Sequence, residues 1–269
     1  RGNNSAWTGD VTVGLNQSWD QDEITVLRLE NNNALTAAND VSLNGSSKLQ
    51  VAGGNVTIGS LITNNATATG LLGGTNDGTG NFQGVGGSSA WVENGSATPG
   101  KVTIKQTTPS RYEALWDATF QDGQPMSSLV NNNLAVGGSL SVVKDGAGWA
   151  TMTLDNHYTG TTEVKAGILQ VGRNGQGDTG AARAANAPGT TVGIGAYLAG
   201  TGYVQGSSVI NGFLTPGDLG GEGMGSLTFN GDLLFGSGSV TTFQLQQPSF
   251  TAYDMLTAAD LSNVQTLYG

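Results

Sequence analysis

Apolar and polar residues alternate in short runs along this whole chain, and that two-residue period is what most limits the folds open to it. The runs include DVTVGL (10–15), ITVLRLE (24–30), SKLQVAG (47–53), NVTIGSLI (55–62), KVTIKQ (101–106), SLSVV (139–143), TTEVKAGILQVG (161–172), SLTFNGDLLF (226–235) and SVTTFQLQ (239–246). Successive side chains of a strand point to opposite faces, so each run can bury one face and wet the other. Gly, Asn and Asp-Gly pairs separate the runs, and these residues suit tight turns. Forty-four of 269 residues are Gly and only 11% are charged, against about 7% and about 25% in ordinary domains. A disordered chain poor in apolar residues would carry dense charge. Here Asn, Thr, Ser and Gly take that place while 37% of residues stay hydrophobic. An all-β chain with many turns is expected. Helical signals are sparse: TGAARAANAPG (179–189) predicts two turns ended by Pro188, and YDMLTAADLSNVQTLYG (253–269) fits helix or strand.

Two all-β architectures compete. A pair of sandwiches would use antiparallel hairpins. A solenoid would wind the chain into parallel sheets, each turn pairing with the next at about 4.8 Å. Gly-rich corners, the Asn clusters at 31–33 and 131–133 and uneven strand spacing favour the solenoid. Stacked Asn side chains hydrogen-bond up such a ladder, whereas stacked like charges repel. At roughly 20 residues per turn the chain would make about 13 turns and a rod roughly 60 Å long. Val-Thr-Val or Val-Thr-Ile recurs at 11–13, 56–58 and 102–104, intervals of 45 and 46 residues. Those intervals suit every second turn of a coil with about 22 residues per turn.

Charge excludes several partners. Twenty acids against ten bases leave a net charge of −10, and the bases are scattered singly, so nothing is set to neutralise nucleic-acid phosphates or an anionic membrane. The chain has no Cys, which removes disulfides, thiolate metal sites and Cys nucleophiles. No apolar run approaches the length of a membrane-spanning helix. RGNNSAWTGD at the start lacks the apolar core of a signal peptide, as expected if targeting segments were removed or the chain is an excerpt.

One stretch is more specific. KDGAGWATMTLDNHYTGTTEVKAGILQVG (144–172) holds Lys144, Gly146-Ala147-Gly148, Asn156, Tyr158-Thr159-Gly160, Thr162, Val164, Ala166-Gly167 and Leu169-Gln170-Val171-Gly172. In that order it resembles the autotransporter-associated β-strand repeat, with its K-x-G-A-G start, N-x-Y-T-G turn and T-x-V-x-A-G-x-L-Q-V-G close. The continuation at 187–246 is similar to the segment after that repeat in secreted passenger chains. NVTIGSL with VENGSATPGKVTI (92–104) resembles the region before it. Trp149-Ala150 stands where the family has Thr and Leu, and Leu154-Asp155 replaces a Gly-Ala pair. The resemblance implies a right-handed parallel β-helix with irregular loops, exported to the bacterial surface or medium, usually as an adhesin or other surface passenger. It implies one elongated solenoid over 1–269: N-terminal rungs at 1–90, middle rungs at 91–143, the repeat at 144–172 and C-terminal rungs at 187–269. Nothing in the chain looks like a C-terminal membrane barrel. In the repeat, Gly146, Gly148, Gly160, Gly167 and Gly172 are expected to supply positive φ at corners. Asn156 is expected to cap its own turn, with Tyr158 beside it. Val164, Ile168, Leu169 and Val171 face inward, with the intervening Thr, Glu and Gln outward.

Candidate chemistry is thin. DQDE puts Asp20 and Asp22 on one strand face beside Glu23, an arrangement open to calcium, although a solvated turn is the plainer reading. Asp117, Asp122 and Asp145 are the acids weighed for hydrolase or lyase chemistry, which needs a carboxylate pair or a calcium-bound cluster. His157, the only His, lies in the N-x-Y-T-G turn and is expected to be exposed. GTGNFQG (78–84) and GTGYVQG (200–206) lack the following helix of a phosphate-binding loop. Six glycosylation sequons begin at Asn3, Asn16, Asn44, Asn55, Asn65 and Asn94, as chance allows in a chain rich in Asn, Ser and Thr. For the five Trp, packing as caps and against loops is the plainer reading; Trp116 and Trp149, nearest the interrupting loops, are the candidates for stacking on a glycan or touching a protein partner. No catalytic residue and no cofactor site is expected. The expected role is a non-enzymatic, secreted or cell-surface passenger in adhesion, meeting a host-cell, neighbour-cell or matrix glycan or protein. The alternatives are a self-associating extracellular fibre or biofilm-matrix protein, with SVTTFQLQ as a pairing edge, and a polysaccharide lyase.

Overall fold

The computed structural model describes residues 6–14, 25–44, 47–63, 90–107, 113–123, 138–173, 177–181, 186–219, 224–244 and 255–260. Among them lie strands and turns but no helix. The first strands are β1 (Val11–Val13), β2 (Thr25–Leu29), β3 (Val41–Leu43), β4 (Ser47–Val51), β5 (Gly54–Ile58), β6 (Leu61–Thr63) and β7 (Ala90–Asn94). Next come β8 (Gly100–Lys105), β9 (Glu113–Trp116), β10 (Ala118–Asp122), β11 (Leu140–Asp145), β12 (Trp149–Met152), β13 (Thr162–Val164) and β14 (Ile168–Val171). The last are β15 (Pro188–Val192), β16 (Tyr197–Gly200), β17 (Tyr203–Val204), β18 (Ser207–Ile210), β19 (Phe213–Pro216), β20 (Ser226–Phe235), β21 (Val240–Thr241) and β22 (Met255–Asp260).

These strands form four sheets. Three strands run in the order β1-β3-β6, four as β10-β7-β4-β2, and six as β21-β19-β16-β14-β12-β9. The largest runs β17-β20-β18-β15-β13-β11-β8-β5, with β22 also on β20. Every ladder between these strands is parallel. That overturns the sandwich alternative, whose hairpins would be antiparallel. A parallel partner cannot be reached through a two-residue turn, and paired residues here lie from 16 (Tyr197, Phe213) to 46 (Ile58, Ile104) positions apart. The average advance of roughly 20 residues per turn expected from the sequence thus covers steps that vary nearly threefold, in keeping with the uneven strand spacing. Val56-Thr57-Ile58 sits directly against Val102-Thr103-Ile104, with no turn between them. Val11-Thr12-Val13 belongs to another sheet and pairs with Val41-Ser42-Leu43.

Alternation makes columns of side chains that cross the ladders. In the largest sheet one buried column runs Ile58, Ile104, Lys144, Val164, Val192, Ile210. In the six-stranded sheet the matching buried column is Ala150, Leu169, Leu198, Leu214. In the four-stranded sheet Leu49, Val92 and Phe120 line up. These columns belong to one continuous apolar core. Single contacts carry the smaller sheets onward. Thr63 Oγ1 donates to Leu115 O at 2.8 Å and accepts from Asp117 N at 3.0 Å, tying β6 to β9. Gln121 bridges to His157, and Asp178 to Tyr203.

Three local expectations change. Pro188 opens β15 instead of ending a helix, because its preset φ and missing N–H suit a strand's first residue; residues 182–185 lie outside the described set. The part of 253–269 that is described is strand, β22, paired with β20. Thr162 and Gln170 were expected outward, yet both are buried, and Ile168, expected inward beside Leu169, lies on the outer face because adjacent strand residues point to opposite sides. Thr162 continues the inner column of Val56, Val102 and Val142, while Gln170 is outward but covered by a loop.

Candidate functional site

The repeat residues divide by task. Gly146, Gly167 and Gly172 take positive φ of 78°, 68° and 73°, as expected. Gly148 and Gly160 do not, which corrects the reading for those two. Gly160 is small because the chain passes so close: a Cβ there would lie 2.1 Å from Leu140 O. Gly148 works through its backbone, donating to Gln106 O at 2.9 Å and accepting from Ile168 N at 3.1 Å. Asn156 does bond its own turn, through Nδ2 to Leu154 O at 3.0 Å. It also clamps both neighbours: Oδ1 accepts from Phe120 N at 2.8 Å, and Nδ2 donates to Asp178 O at 2.6 Å. Tyr158 is buried, its hydroxyl 2.5 Å from Thr162 Oγ1. His157 is exposed.

Lys144 enters the apolar column with its ammonium group at the corner. Nζ donates to Gly146 O and Ala166 O, each at 2.9 Å, and to Asp145 O at 3.3 Å. Burial lowers its pKa to about 8, against the opposing pull of Asp145. Asp145 in turn pairs with Lys105 and accepts from Gly146 N. Asp122 holds Leu140 N at 2.7 Å and Thr159 N at 3.0 Å. Asp117 accepts from Thr153 Oγ1, and burial pushes its carboxyl upward. Asp178 is pushed up to about 7 by burial, with Asp155 adding to the rise and N–H donors from Asn156 and Gly180 resisting it. Each of these acids holds a turn or a neighbouring strand.

The Trp candidates are corrected. Trp116 points inward, in register with Met152, fully buried beside Phe120 with ring centroids 5.7 Å apart. Its Nε1 donates to Gln106 Oε1 at 3.3 Å. Trp149 is outward but only 9% exposed. Neither presents a free ring face.

The outward surface of the six-stranded sheet instead carries another column: Glu113, Trp149, Ile168, Tyr197, Phe213, Val240. Tyr197 and Phe213 stack with centroids 4.3 Å apart and planes 11° apart, while Tyr197 is 37% and Val240 47% exposed. Because the rings stack along the ladder, they turn edges and the Tyr hydroxyl outward. The next outward column, Thr151 and Gln170, lies under a polar network. Gln170 Nε2 donates to Asp218 Oδ1 at 2.8 Å, and Gln170 Oε1 accepts from Leu219 N at 3.0 Å. Arg173 pairs with Glu113 and lies 3.2 Å from Asp218 Oδ2. An apolar strip thus runs beside a ridge in which the Arg173 guanidinium is shared by two carboxylates, Glu113 and Asp218. Sequence reasoning missed it because a step of 29 residues from Ile168 to Tyr197 hides which residues share a column.

A second outward column, Arg28, Gln50, Glu93, Gln121, crosses the four-stranded sheet. The buried Glu93 accepts from Gln50 Nε2 at 2.6 Å and Gln121 Nε2 at 2.9 Å, with Lys48 Nζ at 3.0 Å. A fully desolvated carboxylate of this kind persists only when paired and hydrogen-bonded. Lys48 also lies over the Trp91 ring.

Asp20, Asp22 and Glu23 lie outside the described residues, as does GTGNFQG (78–84). Among the described residues no three His, Cys, Asp or Glu side chains are grouped to hold a metal, and no helix is long and apolar enough to cross a membrane. GTGYVQG contains β17 and leads into β18, not into a helix. Of the sequons, Asn44 and Asn94 are buried, and Asn94 Nδ2 is occupied by Thr98 O at 2.7 Å and Gly138 O at 2.9 Å. Compared with protein-family models and with curated proteins, the chain matches none.

Proposed function

We propose that this chain is a non-enzymatic scaffold, a right-handed parallel β-helix displayed on a bacterial outer surface or released from it, whose role is adhesion. The observation that carries the reading is the long outward column Trp149, Ile168, Tyr197, Phe213, Val240, which crosses five strands and ends partly exposed. Contiguous exposed apolar surface rimmed by polar groups is typical of interaction sites. The in-register parallel pairing across 144–172 also supports the winding that the repeat resemblance implies. The partner class is a host-cell, neighbour-cell or matrix component, engaged through apolar contact with ring edges and the Tyr197 hydroxyl. The lyase alternative gains no support from Asp117, Asp122 or Asp145, whose bonds are those of turn and strand ties.

Binding to whole cells and to arrays of matrix proteins and glycans tests this. Changing Tyr197 and Phe213 together to Ser should lower binding by roughly tenfold while the circular dichroism spectrum stays unchanged. Equal binding by both proteins would defeat the assignment of this face. An experimental map showing the strands as separate sheets that do not wind on one another would defeat the β-helix.

A further inference from the structure

We propose that Asn211 is a site of self-modification: its side-chain amide cyclises onto the Gly212 backbone nitrogen, and water reopens the ring to aspartate or isoaspartate. The inference depends neither on adhesion nor on any particular winding of the sheets.

Asn followed by Gly is the pair most open to this chemistry, because Gly has no Cβ to shield its nitrogen. The pair begins at Asn44, Asn94, Asn174, Asn211 and Asn230. Gly45, Asn174 and Gly175 lie outside the described residues, which leaves three pairs to compare. Asn94 is locked. It is buried, its Nδ2 donates to Thr98 O and Gly138 O, and its Oδ1 accepts from Gly53 N at 3.1 Å. Gly95 N, the nitrogen that would attack, donates to Val51 O at 2.7 Å. Asn230 is held within β20, with Nδ2 donating to Gln205 Oε1 at 3.2 Å.

Asn211 differs at both reacting groups. Its own N–H donates to Val192 O at 2.9 Å, but among the described residues neither its side-chain amide nor Gly212 N forms a hydrogen bond. A backbone N–H left unpaired in a packed corner is uncommon. The side chain is partly exposed, open to the water that the last step consumes. Packing also fixes the pair, since a Cβ at Gly212 would lie 2.3 Å from both Ala196 O and Gly193 O.

The step needs no oxidant. Gly212 N bonds Asn211 Cγ and gives up its proton, the Cγ–Nδ2 bond breaks, and ammonia carries that proton away. Water then opens the ring at Cγ to give aspartate, or at the main-chain carbon to give isoaspartate. Isoaspartate adds a methylene to the main chain in a corner that holds only residues 211 and 212 between β18 and β19. The added length falls directly before Phe213, which pairs with Tyr197.

The test is to hold the folded chain in mildly alkaline buffer made with heavy-oxygen water, then read the label at each Asn by peptide mass spectrometry. Asn211 should convert at least roughly tenfold faster than Asn94 or Asn230, and in urea the three should convert at similar rates. Asn211→Gln should abolish the label at that position, because the larger ring closes far more slowly. A folded chain unlabelled at Asn211, or labelled as fast at Asn94 or Asn230, would overturn the proposal. So would a preference for Asn211 that persists in urea, since flanking sequence and not the corner would then be its cause.

Discussion

Lys144 places an ammonium group where its ladder neighbours Ile104 and Val164 place hydrocarbon. Its pKa of about 8 lies below the ordinary 10.5, so between those values the unfolded chain binds the extra proton. Stability from this residue must then rise with pH across that window, by on the order of 3 kcal/mol in all. Melting temperatures at pH 7.5 and 10 should show the unchanged chain gaining on Lys144→Met; a constant difference would contradict the assignment. Asp178 has the opposite sign. Its pKa of about 7 lies above the ordinary 3.8, so its contribution is whole below 3.8 and lost as pH rises through 7. Asp178→Asn should flatten the fall in melting temperature between pH 4 and 7. Trp116 is a core residue, and Trp116→Ala should cost about 3–5 kcal/mol in urea unfolding. Of these residues, the sequence marked Lys144 only as the first letter of a repeat. That it points inward became visible only when its column was known, and the burial of Trp116 became visible in the same way.

At the scale of the element, the strands were legible and their partners were not. Alternation located β8, β11 and β20 within a residue or two, because one face of each must be dry, whereas the single run at 161–172 breaks at a corner into β13 and β14, which join different sheets. Register needs more, since a one-residue slip exchanges the two faces, and loops of unequal length leave it open. Gln170 shows the cost: it was placed outward, which is correct for the pleat, but its cover came from Asp218 and Leu219, 48 and 49 residues on. Glycine roles were read correctly where φ decides and wrongly where crowding does. Gly160→Ala and Gly195→Ala separate the two causes. A Cβ at Gly160 meets backbone at 2.1 Å, whereas at Gly195, with φ of 78°, it meets nothing within 4 Å. Gly195→Ala should cost about 1–2 kcal/mol from backbone conformation alone, and Gly160→Ala should cost more. Urea midpoints for the two variants test that order.

At the scale of the molecule, every ladder among the described residues joins segments from 16 to 46 residues apart, and none of them is a hairpin. Loops must close before any pairing stabilises them, so refolding should take seconds or longer. Dilution from urea followed by near-ultraviolet circular dichroism measures this, and recovery within milliseconds would contradict it. The class of fold was therefore legible in the chain, while the exposed strip at Tyr197 and Phe213 was not, since it exists only between strands. The irregular steps carry a practical consequence. The excursion from Ile58 to Ile104 and the tight return from Tyr197 to Phe213 both land in register. The ladder thus senses where a segment lands and not how far it has travelled. Foreign peptides grafted into the long excursions should leave the columns untouched, whereas shortening the tight one would misalign the layer above it, so this chain suits use as a display platform that tolerates cargo at chosen points.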